Sequence, residues 1–545
     1  MKISLAQINS CLGQFDYNTR QMIRYAQKAA NNGSDLVIFP ECSLFGYHPV
    51  DLLERQSVVE AQLKHLEYLA KKLPHDIGVF VGAITEFKKP GKNYFNSAVF
   101  IHKNKISRVF PKQLLPTYDV FDEARHIEPG DTSKNIFRFK NFRILVTVCE
   151  DIWAWTLPGE QEKSRYQTNP IQSIKDKNID LIVNLSASPF HTKKFKQRQF
   201  VTDKCVKHIK APMAYVNMVG AQDELVYDGG SFALDKKGNI VAQAKRFKED
   251  LVSFSIESKT KKVFPGQKRI IRENKVSDQR QAIVLGIRDF VTKTGLKKVH
   301  LGLSGGIDSA LVAVLAAEAV GGKNLTCIAL PSPFNIKKSQ TTAKQLAENI
   351  GAHFIEIPIS KIYESELQVL EDAFGPMNFS VVHENLQART RGLLLMAYSN
   401  KENSLLLNTS NKSEFAMGYS TLYGDQCGGI CPIGDLLKTE VNAMAREINR
   451  ERNLIPHFIL DRPPSAELRK GQTDQDTLPD YEILDKAVTK LVVELKKPRN
   501  EIEQQVLNAM MKSEFKRWQA PPIIKVSDHA FGRGRRLPVA HRAFY

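Results

Sequence analysis

The stretch SGGIDS, residues 304–309, joins an apolar segment to an alanine-rich segment that has the pattern of a helix. Two adjacent glycines let the backbone approach an anion without a Cβ in the way. The first turn of the following helix would present unpaired N–H groups and a positive dipole end to that anion. Ser304 and Ser309 add hydroxyl donors, whereas Asp308 would repel a phosphate unless a metal ion bridged them. The stretch therefore predicts a phosphate-binding loop with a bound cation. It lacks the lysine of a Walker A loop, which disfavours kinase-like transfer of a terminal phosphate.

A second group of candidate residues lies in the first half of the chain. It comprises Glu41 in FPECSLFGY, Lys112 in VFPKQLLPTYDVFDE and Cys149 in LVTVCEDIW. Cys149 follows the apolar run FRILVTV, so we expect its thiol at a strand end, where a position near a lysine favours the thiolate. A glutamate could accept the thiol proton, and a lysine could stabilise the oxyanion formed when sulfur attacks an amide carbonyl. A single Cys, Glu or Lys is more often structural, so the role of the three residues depends on the motifs that carry them.

Short apolar runs alternate with amphipathic stretches in both halves of the chain. Runs rich in Val and Ile and bounded by Gly, Pro, Asn or Asp are typical of buried strands. In the first half they are KISLAQI, DLVIF, DIGVFVGA, NSAVFIH, FRILVTV, DLIVNLS and PMAYVNMV. In the second half KKVHLGLS, LTCIALP and HFIEIPI alternate with helical patterns. That alternation predicts a doubly wound parallel sheet whose ligand lies at the carboxyl ends of the strands, beside SGGIDS.

A polar run, residues 257–278, separates the two halves. It carries many charges, one Pro-Gly turn and no sustained apolar periodicity. We therefore expect one domain over residues 1–256, a linker over 257–278 and a second domain over 279–545.

Composition narrows the class of protein. The chain has 545 residues, 42% of them hydrophobic and 25% charged, which is typical of globular domains. Its net charge of +18 admits a polyanionic partner, but we favour a solvated surface that attracts small phosphorylated substrates. The seven scattered cysteines form no disulfide framework, and no apolar run reaches the roughly 18 residues of a membrane span. Together with the absence of a signal-peptide pattern, these features predict a cytoplasmic protein without a membrane segment.

The second half resembles known enzyme families in several motifs. SGGIDS resembles the signature of ATP pyrophosphatases, which cleave ATP between the α and β phosphates and adenylate a carbonyl or carboxylate oxygen. HENLQARTRGLLLMAYSN, LLLNTSNKSEFAMGYSTLYGDQCGG and APPIIKVSDHAFGRGRRLP resemble NAD synthetases. Basic residues, here Arg389 and Arg391, accompany the substrate-binding asparagine in that family. The resemblance implies ATP-binding residues Gly302, Leu303, Ser304, Gly305, Gly306, Ile307, Asp308, Ser309 and Thr409. It also implies deamido-NAD contacts at Asn385, Glu414 and Lys525, and Mg²⁺ ligands at Asp308 and Glu414.

The second half also departs from the family pattern. Ser410 stands where NAD synthetases usually have glycine, and the segment CGGICPIGDLLKT differs from their usual sequence. Substrate contacts in that segment cannot be carried over from the family.

The first half resembles the nitrilase superfamily of carbon–nitrogen hydrolases, which fold as αββα sandwiches. The order Glu41, Lys112, Cys149 and the stretches NLSASPFHTKK and VNMVGAQDELVYDGGSF carry this resemblance. It implies that Tyr118, Ser188 and Lys194 hold a glutamine substrate. The whole chain thus resembles the glutamine-dependent NAD synthetase family: the first half would release ammonia for the carboxylate that the second half adenylates. A homo-oligomer formed through the second half, with no nucleic-acid partner, is expected.

Two alternatives come from other classes of protein. A tRNA-thiolating enzyme would use the positive charge for nucleic acid, but it needs a cysteine near the ATP site, where Cys327, Cys427 and Cys431 are the candidates. It would also leave the Glu–Lys–Cys set unexplained. A non-catalytic scaffold would not need to retain every catalytic residue type.

Overall fold

The structure is a computed structural model that describes residues 1–158, 165–174, 178–541 and 543. Its contacts divide the chain into two compact units. The amino-terminal unit comprises Met1–Gln222 and Val226–Glu273, and the carboxy-terminal unit comprises Asp223–Leu225 and Asn274–Tyr545. Among the described residues, no helix combines the length and apolar character needed to span a bilayer.

Strands dominate the amino-terminal unit. One sheet has the order β15–β14–β1–β2–β3–β4–β5 and a second has the order β13–β12–β9–β8–β7–β6, while β10 and β11 form a separate ribbon. The strands are β1 Lys2–Gln7, β2 Leu36–Ile38, β3 Gly78–Glu86, β4 Tyr94–His102, β5 Lys105–Pro111, β6 Ile136–Phe139, β7 Phe142–Val148, β8 Leu181–Ser186, β9 Met213–Asn217, β10 Val219–Gln222, β11 Leu225–Asp228, β12 Phe232–Leu234, β13 Ile240–Gln243, β14 Asp250–Ile256 and β15 Val263–Phe264.

The two sheets pack face to face, with helices on their outer faces. One apolar cluster joins residues of both sheets, for example Ile3 and Phe80 of one sheet with Val146 and Val183 of the other. A second cluster packs the first sheet against helices α1 Phe15–Asn31 and α2 Gln56–Lys72. A third packs the second sheet against α3 Lys194–Ile209. The unit is therefore an αββα sandwich, as expected.

The apolar runs identified in the sequence correspond to real strands. FRILVTV is β7 to the residue, and DLIVNLS contains β8. The strands that the sequence did not predict include β5 and β15. β5 is mostly exposed and shows no alternation of apolar and polar residues, and β15 has only two residues. Both are held by pairing with neighbouring strands, β4 and β14 respectively, which single-strand patterns do not report.

The carboxy-terminal unit is built around a parallel sheet with the order β18–β17–β16–β19. Its strands are β16 Lys298–Gly302, β17 Leu325–Ala329, β18 His353–Glu356 and β19 Ser404–Leu406. Its helices are α4 Lys275–Lys293, α5 Ile307–Val320, α6 Lys337–Asn349, α7 Ser360–Phe374, α8 Val381–Glu402, α9 Lys412–Met417, α10 Lys438–Arg452, α11 His457–Asp461, α12 Tyr481–Val488, α13 Glu501–Lys512 and α14 Glu514–Arg517. The sheet is doubly wound, as predicted.

The strand order places a crevice at the end of β16. The chain winds outward through β17 and β18 on one side of β16 and then returns to β19 on the other side. Such a reversal opens a crevice at the carboxyl ends of the two strands that flank it. SGGIDS follows β16 directly and lies at this point.

The polar run between the halves contains regular structure. Residues 257–278 contain the strand β15, which pairs with the preceding strand β14, and the start of α4 at Lys275. The division between the two units falls after Glu273.

Candidate functional site

Glu41 is fixed by hydrogen bonds to both of its carboxylate oxygens. It lies just beyond the short strand β2 and is completely buried. The side-chain amide of Asn96, on β4, donates to Oε1 at 2.7 Å, and the backbone N–H of Ala187 donates to Oε2 at 2.9 Å. Burial and nearby Glu123 raise the pKa of Glu41, while Lys112 opposes that rise. A carboxylate with a raised pKa, held in one orientation, is suited to accept a proton.

Lys112 joins Glu41 to a second glutamate, Glu123. The lysine follows β5 and has an exposed fraction of 1%. Its Nζ lies 2.7 Å from Oε1 of Glu41, and 2.8 Å and 2.9 Å from the two oxygens of Glu123. The hydroxyl of Tyr47 also donates to Glu123 at 2.6 Å. Glu123 ends the motif that supplies Lys112, eleven residues downstream, but the sequence reasoning gave it no role. A glutamate at the close of that motif was the available signal.

Cys149 opens a short 3₁₀ turn, Cys149–Ile152, directly after β7. Its backbone has φ of +40°, in the left-handed region, and its side chain is buried. Burial, followed by the charge of Glu41, raises the pKa of the thiol, and Lys112 only partly offsets this. The expected thiolate is therefore wrong for the resting site, because desolvation and a neighbouring carboxylate outweigh one lysine. A protonated thiol beside a fixed carboxylate is a nucleophile with its base in place. We call Glu41, Lys112, Glu123 and Cys149 the thiol site.

The residues expected to hold glutamine lie around the same turn. The Tyr118 hydroxyl donates to Glu150 Oε1 at 2.9 Å, and Tyr166 donates to the same oxygen at 2.7 Å. Lys194 is half-buried with its Nζ 3.8 Å from the centre of the Trp153 ring. Burial lowers the pKa of Lys194 to about 8.

Ser188 is positioned by a buried arginine. Arg198 Nε donates to the Ser188 hydroxyl at 3.1 Å, and Asp228 pairs with that arginine at 2.6 Å. Because the arginine is only a donor, it occupies a lone pair of the Ser188 hydroxyl oxygen and not the hydroxyl hydrogen. Arg198 was missed by the sequence reasoning; its place one turn after Lys194 on α3 was the only available sign.

The SGGIDS loop is shaped by its own hydrogen bonds. The Ser304 hydroxyl accepts from the N–H of Gly306 at 3.2 Å and lies 3.2 Å from the Ser309 hydroxyl. Gly305 has φ of +80°, and a Cβ there would lie 2.6 Å from the carbonyl oxygen of Ser339. Helix α5 begins at Ile307, so its first N–H groups face the loop. This arrangement is suited to cradle an anion.

A cavity of about 370 Å³ lies over this loop. Its lining includes the predicted ATP contacts Gly302, Leu303, Ser304, Gly306, Ile307, Asp308, Ser309 and Thr409, together with Glu414 and Arg391. Gly305 lies beneath the turn rather than on the cavity wall. We call this the nucleotide cavity. Its volume is in the range of ligand pockets.

Two predicted deamido-NAD contacts are not among the described residues that line the nucleotide cavity. Asn385 contacts a residue that lines the cavity: its Oδ1 accepts a hydrogen bond from the hydroxyl of Thr421 at 2.8 Å. Lys525 is buried and its Nζ donates to the carbonyl of Asp528 at 2.6 Å. Arg389 is exposed, with its Nε donating to the Leu422 carbonyl at 3.3 Å.

Acidic side chains converge on one lysine in the nucleotide cavity. Lys438, the first residue of α10, lies 2.5 Å from Asp308 and 3.7 Å from Glu414. Burial and the charge of Asp308 raise the pKa of Glu414 to about 8. Burial also raises the pKa of Asp474, another lining residue. Asp308, Glu414 and Asp474 thus bring three carboxyl groups towards Lys438, and such hard oxygen donors fit a divalent cation such as Mg²⁺. Lys438 lies at the end of the divergent segment CGGICPIGDLLKT, which is why the family pattern did not reveal it.

The cysteines near the nucleotide cavity are poor nucleophiles. Cys427 lines the cavity, where burial followed by Asp425 raises its pKa to about 11. Burial raises the pKa of Cys327 to about 12. Cys431 is buried and donates to Asn408 Oδ1 at 3.1 Å. Because Cys327 and Cys431 are not among the described residues that line the cavity and the pKa of Cys427 is raised, this arrangement does not favour a tRNA-thiolating enzyme.

Comparison with known proteins covers both units. Residues 2–263 match the carbon–nitrogen hydrolase family and residues 279–520 match the NAD synthase family. A glutamine-dependent NAD(+) synthetase from Synechocystis sp. is 41% identical over 555 aligned residues, covering 100% of this chain and 99% of the relative. A protein of the same description from Thermotoga maritima is 36% identical and covers 99% of each chain.

A solved structure agrees with these relatives. The glutamine-dependent NAD+ synthetase from Acinetobacter baumannii, in complex with adenosine diphosphate, is 32% identical with a TM-score of 0.78. The match covers 99% of this chain and 98% of that chain. By identity over its full length and by both of its domains, the chain belongs to the family of glutamine-dependent NAD(+) synthetases.

Proposed function

We propose that the chain makes NAD from deamido-NAD, with glutamine as its nitrogen source and ATP as its energy source. The observation that carries this proposal is the presence in one chain of two chemically distinct centres. One is a thiol beside a fixed carboxylate and lysine. The other is an anion-binding loop beneath a cavity with surplus acid. Residues 1–256 would act as the amidase and residues 279–545 as the synthetase.

The amidase reaction uses the residues of the thiol site. Glu41 takes the proton of Cys149 as sulfur attacks the side-chain carbonyl carbon of glutamine. Lys112 donates a hydrogen bond to the oxyanion, and its two carboxylate partners keep it charged. Glu41 returns the proton to the leaving nitrogen, and ammonia departs. The same carboxylate then takes a proton from water, which attacks the thioester carbon, and returns that proton to the Cys149 sulfur as the C–S bond breaks and glutamate is released.

The substrate glutamine would be held by residues around the Cys149 turn. Lys194, with a pKa of about 8, is a cation for the α-carboxylate of the amino acid. The Ser188 hydroxyl, whose oxygen accepts from Arg198, would donate its hydrogen to the same group. Tyr118 and its partner Glu150 provide a polar wall opposite.

The synthetase reaction uses the nucleotide cavity. Loop 304–309 and the start of α5 bind ATP phosphates, and Thr409 contributes from the loop after β19. A carboxylate oxygen of deamido-NAD attacks the α-phosphorus and pyrophosphate leaves. Ammonia then attacks the acyl carbon, AMP leaves, and the amide of NAD is formed. Asn385, Glu414 and Lys525 are the proposed deamido-NAD contacts.

Asp308 and Glu414 are the proposed ligands of Mg²⁺. Both carboxylates lie within 4 Å of the same lysine Nζ, that of Lys438, at 2.5 Å and 3.7 Å respectively. When bound, the ion would neutralise phosphate charge next to these carboxylates. Lys438 would then be free to contact phosphate.

The proposed homo-oligomer forms through the carboxy-terminal unit. Helices α7 and α8 expose several large apolar side chains, which is unusual for a monomer surface: Val369, Phe374, Val381, Val382, Leu393 and Met396. Sedimentation of the protein and of Leu393→Glu tests the proposed interface: a variant that sediments like the parent protein would contradict it.

A reducing cytoplasm suits a chain whose seven cysteines are all free.

Product analysis tests the function directly. The protein is supplied with ATP, Mg²⁺, deamido-NAD and either glutamine or ammonium chloride. We expect NAD, AMP and pyrophosphate in equal amounts with both nitrogen sources, and glutamate only with glutamine. Formation of ADP and phosphate in place of AMP and pyrophosphate would contradict adenylation.

A further inference from the structure

Asp151 is a completely buried carboxylate two residues after Cys149. Its Oδ1 accepts the backbone N–H groups of Gln113 and Leu114, each at 2.9 Å. Its Oδ2 accepts the backbone N–H of Val148, also at 2.9 Å. One side chain thus holds three peptide groups from two separate segments.

Those peptide groups adjoin the two reacting side chains. Gln113 and Leu114 directly follow Lys112, and Val148 directly precedes Cys149. β5 ends at Pro111, and the Lys112 N–H still donates to the Asn96 carbonyl at 2.8 Å. The next two N–H groups, of Gln113 and Leu114, lie beyond the strand and donate to Asp151 instead of to a neighbouring strand. The carboxylate therefore continues the fixation of the lysine segment beyond the end of its strand.

The ionisation of Asp151 suits this task. Burial raises its pKa to about 6, while the N–H groups of Leu114 and Val148 and the charge of Lys112 oppose the rise. At pH 7.5 the group is mainly a carboxylate. Both of its oxygens are then acceptors, which three inward-pointing donors require.

We propose that Asp151 is a positioning residue that fixes the separation and orientation of Lys112 and Cys149. The inference deepens the proposed amidase reaction and rests on it. Transition-state stabilisation requires the lysine Nζ to meet the oxyanion while sulfur bonds to the same carbon, so both groups must be placed together. A carboxylate bonded to the backbone beside each one transmits that placement without touching substrate.

Replacement of Asp151 by asparagine tests the proposal. Asparagine has nearly the same shape, but its amide nitrogen would face at least one N–H donor, which breaks a tether. We expect kcat for glutamine hydrolysis to fall about 10- to 100-fold, the order of effect of a small misplacement of reacting groups. The KM for glutamine should change less than threefold, because Tyr118, Ser188 and Lys194 are untouched. Synthesis of NAD from ammonium chloride should stay within twofold of the parent protein.

Asp180→Asn is the matched control. Asp180 accepts the backbone N–H of Arg143 at 2.8 Å, at the opposite end of β7 from Cys149. The Asp180→Asn variant removes a carboxylate that holds the other end of β7, before β8, without reaching the thiol site, so its kcat for glutamine should remain near that of the parent protein. Equal losses of kcat in the two variants would mean that Asp151 only stabilises the fold, and a change confined to KM would also overturn the proposal.

A second readout follows Cys149 itself. The rate of alkylation by iodoacetamide, measured from pH 6 to 10, reports the environment of the thiol without any substrate. We expect Asp151→Asn to shift this profile and Asp180→Asn to leave it unchanged; an unshifted profile would overturn the proposal. If Asp151→Asn does not fold, Asp151→Glu, which keeps two acceptor oxygens, carries the same measurements. Absence of glutaminase activity in the parent protein would instead refute the proposed function.

Discussion

In each unit of the molecule, a buried lysine lies between two carboxylates. At the thiol site, Lys112 contacts Glu41 and Glu123 at 2.7–2.9 Å, and all three side chains are almost fully buried. In the nucleotide cavity, Lys438 lies 2.5 Å from Asp308 but 3.7 Å from Glu414. Both sites combine one lysine with two carboxylates, but only Lys112 contacts both of its carboxylates at hydrogen-bond distance. We call the thiol site closed and the nucleotide cavity open in this sense.

The two arrangements differ in how far the carboxylate oxygens are already supplied with hydrogen-bond donors. At the thiol site, every carboxylate oxygen of Glu41 and Glu123 has a donor, so the charges are fixed before substrate arrives. In the nucleotide cavity, burial followed by the charge of Asp308 raises the pKa of Glu414 to about 8, so this carboxyl retains a proton that a cation would replace. A closed network presets catalytic groups, whereas an open network leaves room for a cation and its phosphate ligands.

The largest expected effect separates the two sites through Cys149. Cys149→Ala removes the covalent nucleophile, so glutamine-driven NAD synthesis should fall by about 10⁴-fold or more. Synthesis from ammonium chloride should persist, because the nucleotide cavity lies in the other unit. NAD formation is measured with both nitrogen sources on one protein batch. Retained glutamine-driven synthesis would refute the amidase assignment, and loss of both activities in a folded protein would refute independent sites.

Asp308→Asn should act on the other site. The substitution removes one of two carboxylates that would hold Mg²⁺ and leaves Lys438 paired only with distant Glu414. We expect a loss of about 10²- to 10³-fold in NAD synthesis with either nitrogen source, of the size found when one charge-stabilising group is removed. Glutamine hydrolysis serves as the internal control and should survive. Full activity at limiting Mg²⁺ would contradict a metal role for Asp308.

Glu123→Gln tests whether closure of the thiol site matters. It weakens the two contacts that hold Lys112 opposite Glu41 and leaves the lysine with one anionic partner. We expect glutamine kcat to fall about 10²-fold, with ammonium-driven synthesis unchanged. Glu128→Gln is a suitable control, because Glu128 lies in the same loop region but accepts from the backbone of Lys92 at an exposed position. Similar behaviour of the two variants would show that Glu123 is dispensable.

A smaller effect should appear in the pH dependence of Mg²⁺ activation. With a pKa of about 8, Glu414 carries a proton below that pH in the metal-free protein, and a cation must displace it. The apparent affinity for Mg²⁺ should therefore weaken about fivefold from pH 8 to pH 7 as the proton competes. Calorimetric titration with Mg²⁺ and a non-hydrolysable ATP analogue measures this. Glu414→Gln should bind more weakly and lose the dependence; an unchanged slope would exclude Glu414 as a ligand.

Much of the fold could be predicted because local patterns determine it. FRILVTV and DLIVNLS are rich in Val, Ile and Leu, and nearly all of their strand residues are buried. The motif order placed Glu41, Lys112 and Cys149, and the glycine pair placed the phosphate loop. β5 and β15 escaped prediction because they exist through pairing with a neighbour rather than through their own composition.

The unpredicted parts of the sites depend on groups brought together from distant segments. Arg198 and Asp228 meet Ser188 only after α3 and β11 have packed. The protonated state of Cys149 follows from the burial of its turn, which a sequence reports poorly. Lys438 belongs to a segment where the family pattern fails, so only its distance to Asp308 reveals its place.

The left-handed backbone of Cys149 implies a conflict between activity and stability. A non-glycine residue with φ of +40° is held in a conformation that it disfavours by about 1 kcal/mol or more. Glycine adopts this conformation without that cost, although it loses more freedom on folding. The Cys149→Gly protein should therefore unfold at a higher temperature than Cys149→Ala, although both lack the nucleophile. The backbone strain is thus borne at the residue that carries the thiol, so this position couples the chemistry of the site to the stability of the fold.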